Sequence, residues 1–171
     1  MIKSNRKKVI RTMKKFLVVL CVLCLAACGF RPMFSGDDTD IYVAPISGIN
    51  GIELRNALNA KFGGVRDDTA PYSLTVSLDA PRTQYKGLEP TGDASWQEIV
   101  MRATYVLRRG DVEIARGTEQ ASESYTFVRY LVAANASYNN AVKNTIMVLA
   151  DKISVRAIAE TQQDMASGDQ K

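Results

Sequence analysis

Apolar and polar residues alternate along two stretches in the middle of the chain. From Tyr72 to Leu78 every second residue is apolar and the residues between are Ser or Thr. This pattern is typical of a strand with one buried face. A longer alternation predicts a second strand from Glu98 to Arg108, with five residues on its inner face: Ile99, Met101, Ala103, Tyr105 and Leu107.

Two further strands are predicted beside these. The turn at Arg109-Gly110-Asp111 leads into a returning strand from Val112 to about Val128. The alternation of this strand fails near Ala115 to Gly117, which predicts a β-bulge there. A short strand is expected at Ile41–Ala44, because Pro45 stops it.

A first helix is predicted from Gly51 to Phe62. Leu54, Leu58 and Phe62 are spaced four apart and form its apolar stripe, with Ile52 and Ala57 beside them. Asn50 followed three residues later by Glu53 resembles a capping box at its start. Gly63-Gly64 provides a natural stop.

A second helix is predicted from about Tyr138 to Glu160. Apolar residues recur there at steps of three and four, with polar residues between them: Val142, Ile146, Leu149, Ile153 and Ala157. Residues 161–171 are polar and are predicted to be a disordered tail. The order strand, helix, three strands, helix predicts an α+β domain over residues 41–160. Its two helices pack on one face of a four-stranded, largely antiparallel sheet.

The segment before this domain is predicted to be a signal peptide over residues 1–27. Basic residues come first, followed by twelve uncharged residues from Phe16 to Ala27. That run is shorter than the roughly 20 residues a transmembrane helix needs, and it matches the apolar core of a signal peptide. Met1 and Met13 both remain possible starts, since Lys14-Lys15 precedes the same run.

The end of the signal peptide resembles the lipobox of bacterial lipoproteins. Leu25-Ala26-Ala27-Cys28 places small residues before a cysteine that would be acylated after cleavage, with residues 28–40 as the lipidated linker. Stable membrane anchoring needs two signals, such as two acyl chains, and the three acyl chains of a bacterial lipoprotein exceed this requirement. Gly29, rather than Asp, follows the cysteine and favours the periplasmic face of the outer membrane. The alternative is an ordinary cleaved signal peptide with an incidental cysteine.

Charge and composition exclude several classes of function. The whole chain carries +4, but removal of residues 1–27 leaves 15 basic against 18 acidic residues, a net −3, so no nucleic-acid partner is expected. The chain has no histidine, which excludes His-dependent catalysis and imidazole-ligated metals. All three cysteines lie in the first 28 residues, so the domain has no disulfide. We expect no enzyme activity, no catalytic residue, no metal and no cofactor.

A set of basic residues is the candidate binding feature. Such residues beside aromatic groups hold a phosphorylated amphiphile through charge-assisted hydrogen bonds. The alternative is an ordinary solvated face. The candidates occupy a segment predicted as a loop, the outward face of the strand after it, and the approach to the last loop: Arg82, Lys86, Arg102, Arg108 and Arg129.

The start of the mature chain carries a family resemblance. Cys28 followed by Gly29-Phe30-Arg31-Pro32 resembles the start of the LPS-assembly lipoproteins, the LptE (RlpB) family, and the predicted order of elements is similar across the mature chain. The resemblance implies a lipoprotein that plugs and helps assemble the LptD outer-membrane β-barrel. It also implies contact with lipopolysaccharide and a part in its delivery to the outer leaflet. By position, the segment from Arg82 to Asp93 and that near Arg129 are the nearest matches to the family's lipid-contacting loops.

Two other functions remain open at this point. An auxiliary lipoprotein of an envelope ABC transporter also combines a lipobox with a small α+β domain. A lipoprotein hydrolase would need a nucleophile and a base that this sequence does not offer. A barrel plug is expected to form a complex in the outer membrane, whereas an auxiliary transporter lipoprotein is expected to have partners in the inner membrane.

Overall fold

The computed structural model describes residues 40–88, 94–126 and 130–168. Cys28, the signal peptide, the Gly29 to Pro32 motif and Arg129 lie outside these ranges. The described part contains five strands and two helices, which we number in chain order: β1 (Ile41–Val43), α1 (Ile49–Lys61), β2 (Tyr72–Leu78), β3 (Arg82–Leu88), β4 (Ala94–Arg109), β5 (Val112–Thr126) and α2 (Leu131–Gly168).

The sheet is built around β4, its longest strand. Along one side β4 pairs antiparallel with β5 from Trp96 to Arg109. Along the other side it pairs antiparallel with two strands in succession, β2 at its carboxyl end and β3 at its amino end. β2 and β3 therefore run in the same direction, end to end, like one strand broken at Asp79–Pro81. β1 pairs with β2 in parallel, and α1 is the crossover between them.

The α+β class and the two helices are confirmed, but the sheet has five strands rather than four. The strand missed from the sequence is β3, whose residues RTQYKGL do not alternate between apolar and polar. Every described side chain of β3 is at least partly exposed, so no buried face marks it. Pairing with β4, which is set by tertiary structure, makes it a strand.

The predicted core faces are confirmed. The inward residues of β4 predicted from the alternation are all buried, and so are Leu54 and Leu58 of α1 and Phe62 directly after it. The five stripe residues of α2 are also buried against the sheet. Each such large apolar side chain stabilises the fold by about 1.5–3 kcal/mol. Ile52, expected beside the α1 stripe, is instead exposed.

The start of α1 differs from the prediction, whereas its end agrees with it. The helix begins at Ile49 after Gly48, and no side chain caps it, so the capping box of Asn50 and Glu53 is wrong. The Ile52 N–H instead bonds the Gly48 carbonyl oxygen at 3.0 Å. The stop at Gly63-Gly64 is confirmed, since both glycines have a positive φ that side-chain-bearing residues rarely adopt.

The second helix is longer than predicted at both ends. It begins at Leu131, seven residues before Tyr138, and continues to Gly168. The prediction of a disordered tail from residue 161 is therefore wrong for residues 161–168. Half of these residues are good helix formers (Gln162, Gln163, Met165 and Ala166), and Thr161 is buried. Within the described residues, neither helix is both long and apolar enough to cross a membrane.

The bulge predicted in β5 is present one residue earlier than expected. Leu107 pairs with Ala115 and Arg108 with Glu113, which leaves Ile114 as the extra residue. Gly117 is in register, opposite Tyr105. A Cβ at Gly117 would lie 2.6 Å from the Tyr105 hydroxyl oxygen, so the glycine leaves room for the ring.

Candidate functional site

The sheet face that points away from the helices is the outer face. In β4 this face carries every second residue from Trp96 to Arg108, and the residues between them are buried. Ser and Thr residues dominate the neighbouring positions of β2 and β5. Five cations and two carboxylates are placed on it by register and side-chain contacts: Arg82, Lys86, Arg102, Arg108, Arg116, Glu98 and Glu113. This face is polar, of mixed charge and net basic, on a domain that is net acidic.

A cleft opens on this face where β2 ends and β3 begins. The β2 pairing ends at Leu78 opposite Ala103, and the β3 pairing begins at Arg82 opposite Val100. The gap between them forms a cavity of about 160 Å³. It is lined by eight residues: Asp79, Ala80, Arg82, Gln84, Val100, Met101, Arg102 and Gln120.

Backbone and side-chain hydrogen bonds fix the walls of this cleft. The Asp79 N–H donates to the Arg102 carbonyl oxygen at 2.9 Å, which holds the broken strand against β4. The Arg102 guanidinium donates through Nη2 to Oε1 of Gln120, its cross-strand partner on β5, at 3.3 Å. Two of the predicted basic residues, Arg82 and Arg102, are thus brought to one cavity.

The other predicted residues do not join the cleft. Lys86 Nζ pairs with Glu98 Oε2 at 2.8 Å. Hydrogen bonds from Lys86, and then from Ser122, lower the pKa of Glu98 below its usual value. Arg108 lies on the same face near the far end of β4, opposite Ser73. The fifth candidate, Arg129, lies outside the described residues.

Sequence reasoning missed the polar partners of the two arginines. Asp79, Gln84 and Gln120 also line the cleft, and none had been singled out. Gln120 could have been found from the register of the β4–β5 hairpin, which places it opposite Arg102. Asp79 and Gln84 depend on the break between β2 and β3; Pro81 marks this break in the sequence, but it does not show that the chain pairs with β4 again after it.

The end of the sheet near the start of β4 exposes aromatic side chains. Tyr85 is 70% exposed and Trp96 is 52% exposed. Tyr130, just before α2, is 82% exposed, and Leu131 and Val132 follow it, also exposed. Aromatic rings with a polar edge are typical of surfaces that contact amphiphiles or partner proteins.

The described residues do not offer a metal centre. No group of three or more His, Cys, Asp or Glu side chains within residues 40–88, 94–126 and 130–168 is arranged to hold an ion. The chemistry available at the outer face is hydrogen bonding and charge pairing by guanidinium and amide groups, which suits the binding of anions.

Comparison with known sequences gives no match. No protein-family model matches the chain, and neither does any curated protein.

Comparison with solved structures gives clear matches. Rare lipoprotein B from Shewanella oneidensis superposes with a TM-score of 0.59 at 17% identity, over 75% of this chain and 99% of that one. A candidate lipoprotein from Caulobacter crescentus gives 0.57 at 21% identity, over 70% and 89%. A minor lipoprotein from Acinetobacter baumannii gives 0.53 at 18% identity, over 71% and 94%. The chain therefore has the fold of rare lipoprotein B, and its resemblance to the LptE (RlpB) family is confirmed at the level of the fold.

Proposed function

We propose that this chain is an outer-membrane lipoprotein that plugs an LptD-type β-barrel. In this role it helps the barrel to assemble and takes part in delivering lipopolysaccharide to the outer leaflet. The observation that carries the proposal is the fold shared with rare lipoprotein B over 99% of that protein's length. The Cys28 to Pro32 start of the mature chain supports it independently.

The surface of the domain suits a position inside a barrel. The lumen of a large outer-membrane barrel is polar, so a plug must present polar groups and keep its apolar groups in its own core. Most positions of the outer face meet this requirement, with Trp96, Val100 and Val106 as the apolar residues that β4 contributes to it. Thr104 and Thr118 face each other at its centre, with hydroxyl oxygens 3.2 Å apart. Such hydroxyls can also bond to lumen side chains or to water.

Membrane attachment would come from Cys28. Twelve residues separate it from β1, enough chain to reach roughly 40 Å when extended. The Tyr72 N–H donates to the Asp40 carbonyl oxygen, and Tyr72 is opposite Arg109, so the chain enters the domain at the carboxyl end of β4. Trp96 lies 13 residues away along the strand, roughly 40 Å. The exposed aromatic end is thus the end of the sheet far from Asp40, where the described chain enters the domain.

Lipopolysaccharide contact is proposed for the basic residues of the outer face. The cleft holds Arg82 and Arg102 side by side, and Arg108 lies further along the same face. Lys86 is engaged by Glu98 and would need to exchange that partner for a lipid phosphate. Arg129 remains a candidate by its position in the sequence. The proposed role is binding and positioning, without catalysis by the chain.

The test is purification of the C-terminally tagged full-length chain from outer-membrane fractions in mild detergent, with mass spectrometry of its partners. We expect an LptD-sized barrel at one copy per chain. A Cys28→Ser variant is the matched control for anchoring, since it keeps the folded domain but loses the acyl chains. Recovery of an inner-membrane transporter permease in place of the barrel would contradict the proposal and favour the ABC-auxiliary function.

A further inference from the structure

The two arginines of the cleft differ from Arg116 and Lys86, two other cations of the outer face. Arg116 makes two hydrogen bonds to the Glu113 carboxylate, at 2.9 and 2.7 Å, and Lys86 pairs with Glu98. In the described part of the chain, no ion pair involves Arg82 or Arg102. Their positive charges are therefore available to a ligand.

The donors around the cleft converge on one small volume. Arg82 and Gln84 lie two residues apart on the same side of β3, opposite Val100 and Glu98 of the outer face. Gln120 accepts a hydrogen bond from Arg102 through Oε1, so its amide nitrogen remains a donor. Two guanidinium groups and two side-chain amides thus surround the cavity, with many N–H donors for an oxyanion.

The size and charge of the cleft limit what it can hold. Its volume of about 160 Å³ is smaller than the roughly 300–1,000 Å³ of pockets for drug-sized ligands. One compact anionic group fits, whereas a whole glycolipid headgroup does not. The single carboxylate of Asp79 against two guanidinium groups leaves a net positive charge. Guanidinium forks match the oxygens of phosphate and bind them in a bidentate manner.

We propose that this cleft is a binding site for a single phosphate group of a phosphate monoester. The group can come from a free phosphate or from the phosphorylated headgroup of a glycolipid. The glycolipid source rests on the proposed function, whereas the site itself rests on the geometry of the cleft. Gln120 orients the Arg102 guanidinium, and the bond between Asp79 and Arg102 keeps the two sides of the cleft together.

The test uses the full mature chain in detergent, titrated with inorganic phosphate and with glucosamine 1-phosphate. The readout is the NMR shifts of the Arg Nε–H and Gln side-chain amide groups. We expect saturable shifts at Arg82, Arg102 and Gln120. Arg82→Gln and Arg102→Gln should each weaken binding about tenfold, the effect of losing one charge-assisted interaction. Both residues are exposed, so both variants should fold.

Arg116→Gln is the matched control. It removes one positive charge from the same face but leaves the cleft intact, so the phosphate affinity should stay nearly unchanged. Absence of saturable shifts at the two arginines, or equal weakening by Arg116→Gln, would overturn the proposed site.

A second arm distinguishes the sources of the phosphate. Phosphatidylcholine vesicles with and without lipopolysaccharide are offered to the same variants. Binding of the lipopolysaccharide vesicles that is weakened only by the cleft variants supports the glycolipid source. If the vesicles bind all variants alike, the glycolipid source of the phosphate fails while the proposed function stands. If phosphate binds in the cleft but the vesicles do not bind, the site stands with a free phosphate and the proposed function loses support.

Discussion

The Tyr72 hydroxyl donates a hydrogen bond to the Asp164 carboxylate, with 3.0 Å between the oxygens, across 92 residues of sequence. Arg109 Nη1 lies 2.8 Å from the same carboxylate oxygen. The three residues join the start of β2, the end of β4 and the last turns of α2. The side chain of Asp164 is only 16% exposed, so this cluster is partly shielded from solvent. The cluster holds the last turns of α2 in place, and the polar composition of these turns alone would not make them helical.

Loss of the Asp164 carboxylate should therefore destabilise the domain. Asp164→Ala leaves the Tyr72 hydroxyl and the Arg109 guanidinium without their partner, at a cost of about 1–3 kcal/mol in the free energy of unfolding. Urea denaturation measures the change. Asp151→Ala is the control, since Asp151 pairs with Lys61 at a more exposed position and should cost less than about 1 kcal/mol. Equal costs for the two variants would contradict this role of Asp164.

Stability should fall at alkaline pH through the buried tyrosines. Burial raises the pKa of Tyr72 above 10.0, with a further contribution from Asp164, and burial likewise raises the pKa of Tyr105 and of Tyr125. Above pH 10.0 the unfolded chain loses these protons before the folded one, so the stabilisation present below that pH is lost as pH rises through the folded pKa values.

The tyrosine titration can be followed by ultraviolet absorbance. Tyr72, Tyr105 and Tyr125 should ionise above pH 10.0, and Tyr72→Phe should remove one of these three high-pH transitions. Ionisation of the three tyrosines at or below pH 10.0 would show that burial does not hold their hydroxyls protonated.

Gly117 should not tolerate a side chain. Gly117→Ala places a methyl group against the Tyr105 ring, which is nearly fully buried and cannot easily move. We expect a loss of about 1–3 kcal/mol, typical of overpacking. The double variant Gly117→Ala/Tyr105→Val should lose less than the sum of the two single variants, because the smaller side chain admits the methyl group. Additive losses in denaturation experiments would count against this contact.

The pairing of Lys86 with Glu98 should be visible in the titration of the carboxyl group. Lys86 is the largest cause of the lowered pKa of Glu98, so Lys86→Gln should raise that pKa towards its ordinary value of 4.5. NMR of the Glu98 side-chain carboxyl carbon as a function of pH measures it. Arg116→Gln, which affects Glu113 instead, should leave Glu98 unchanged. A Glu98 pKa that is the same in the Lys86 variant would mean that the pair does not persist in solution.

The sequence predicted correctly those elements in which a buried face makes apolar residues recur at a regular spacing. The alternation in β2 and β4 and the stripe in α2 predicted which residues face the core, because each such face must be apolar along its length. β3 has no such face, and it became a strand through its pairing with β4. The end of α2 was missed because the contacts of Asp164 come from residues 55 and 92 positions away.

The candidate site was predictable only in part. Arg82 and Arg102 were identified as basic residues near a strand, but their meeting in one cleft depends on the break between β2 and β3. Pattern reasoning had placed Arg82 and Lys86 in a loop, whereas both lie in a paired strand. Lys86 differs from the two cleft arginines because it pairs with a carboxylate. This difference could not be predicted without knowing where Glu98 and Glu113 lie across the sheet.

Site-specific photo-crosslinking in living cells, with the photoreactive residue at Thr104 or Thr118, tests directly whether the outer face lies against the inside of an LptD-type barrel. Ile153, buried in the core, is the control position and should give no crosslink. We expect one dominant product, containing an outer-membrane β-barrel of the LptD type, from both outer-face positions. Crosslinks from these positions to an inner-membrane transporter, or none to any outer-membrane barrel, would contradict this expectation.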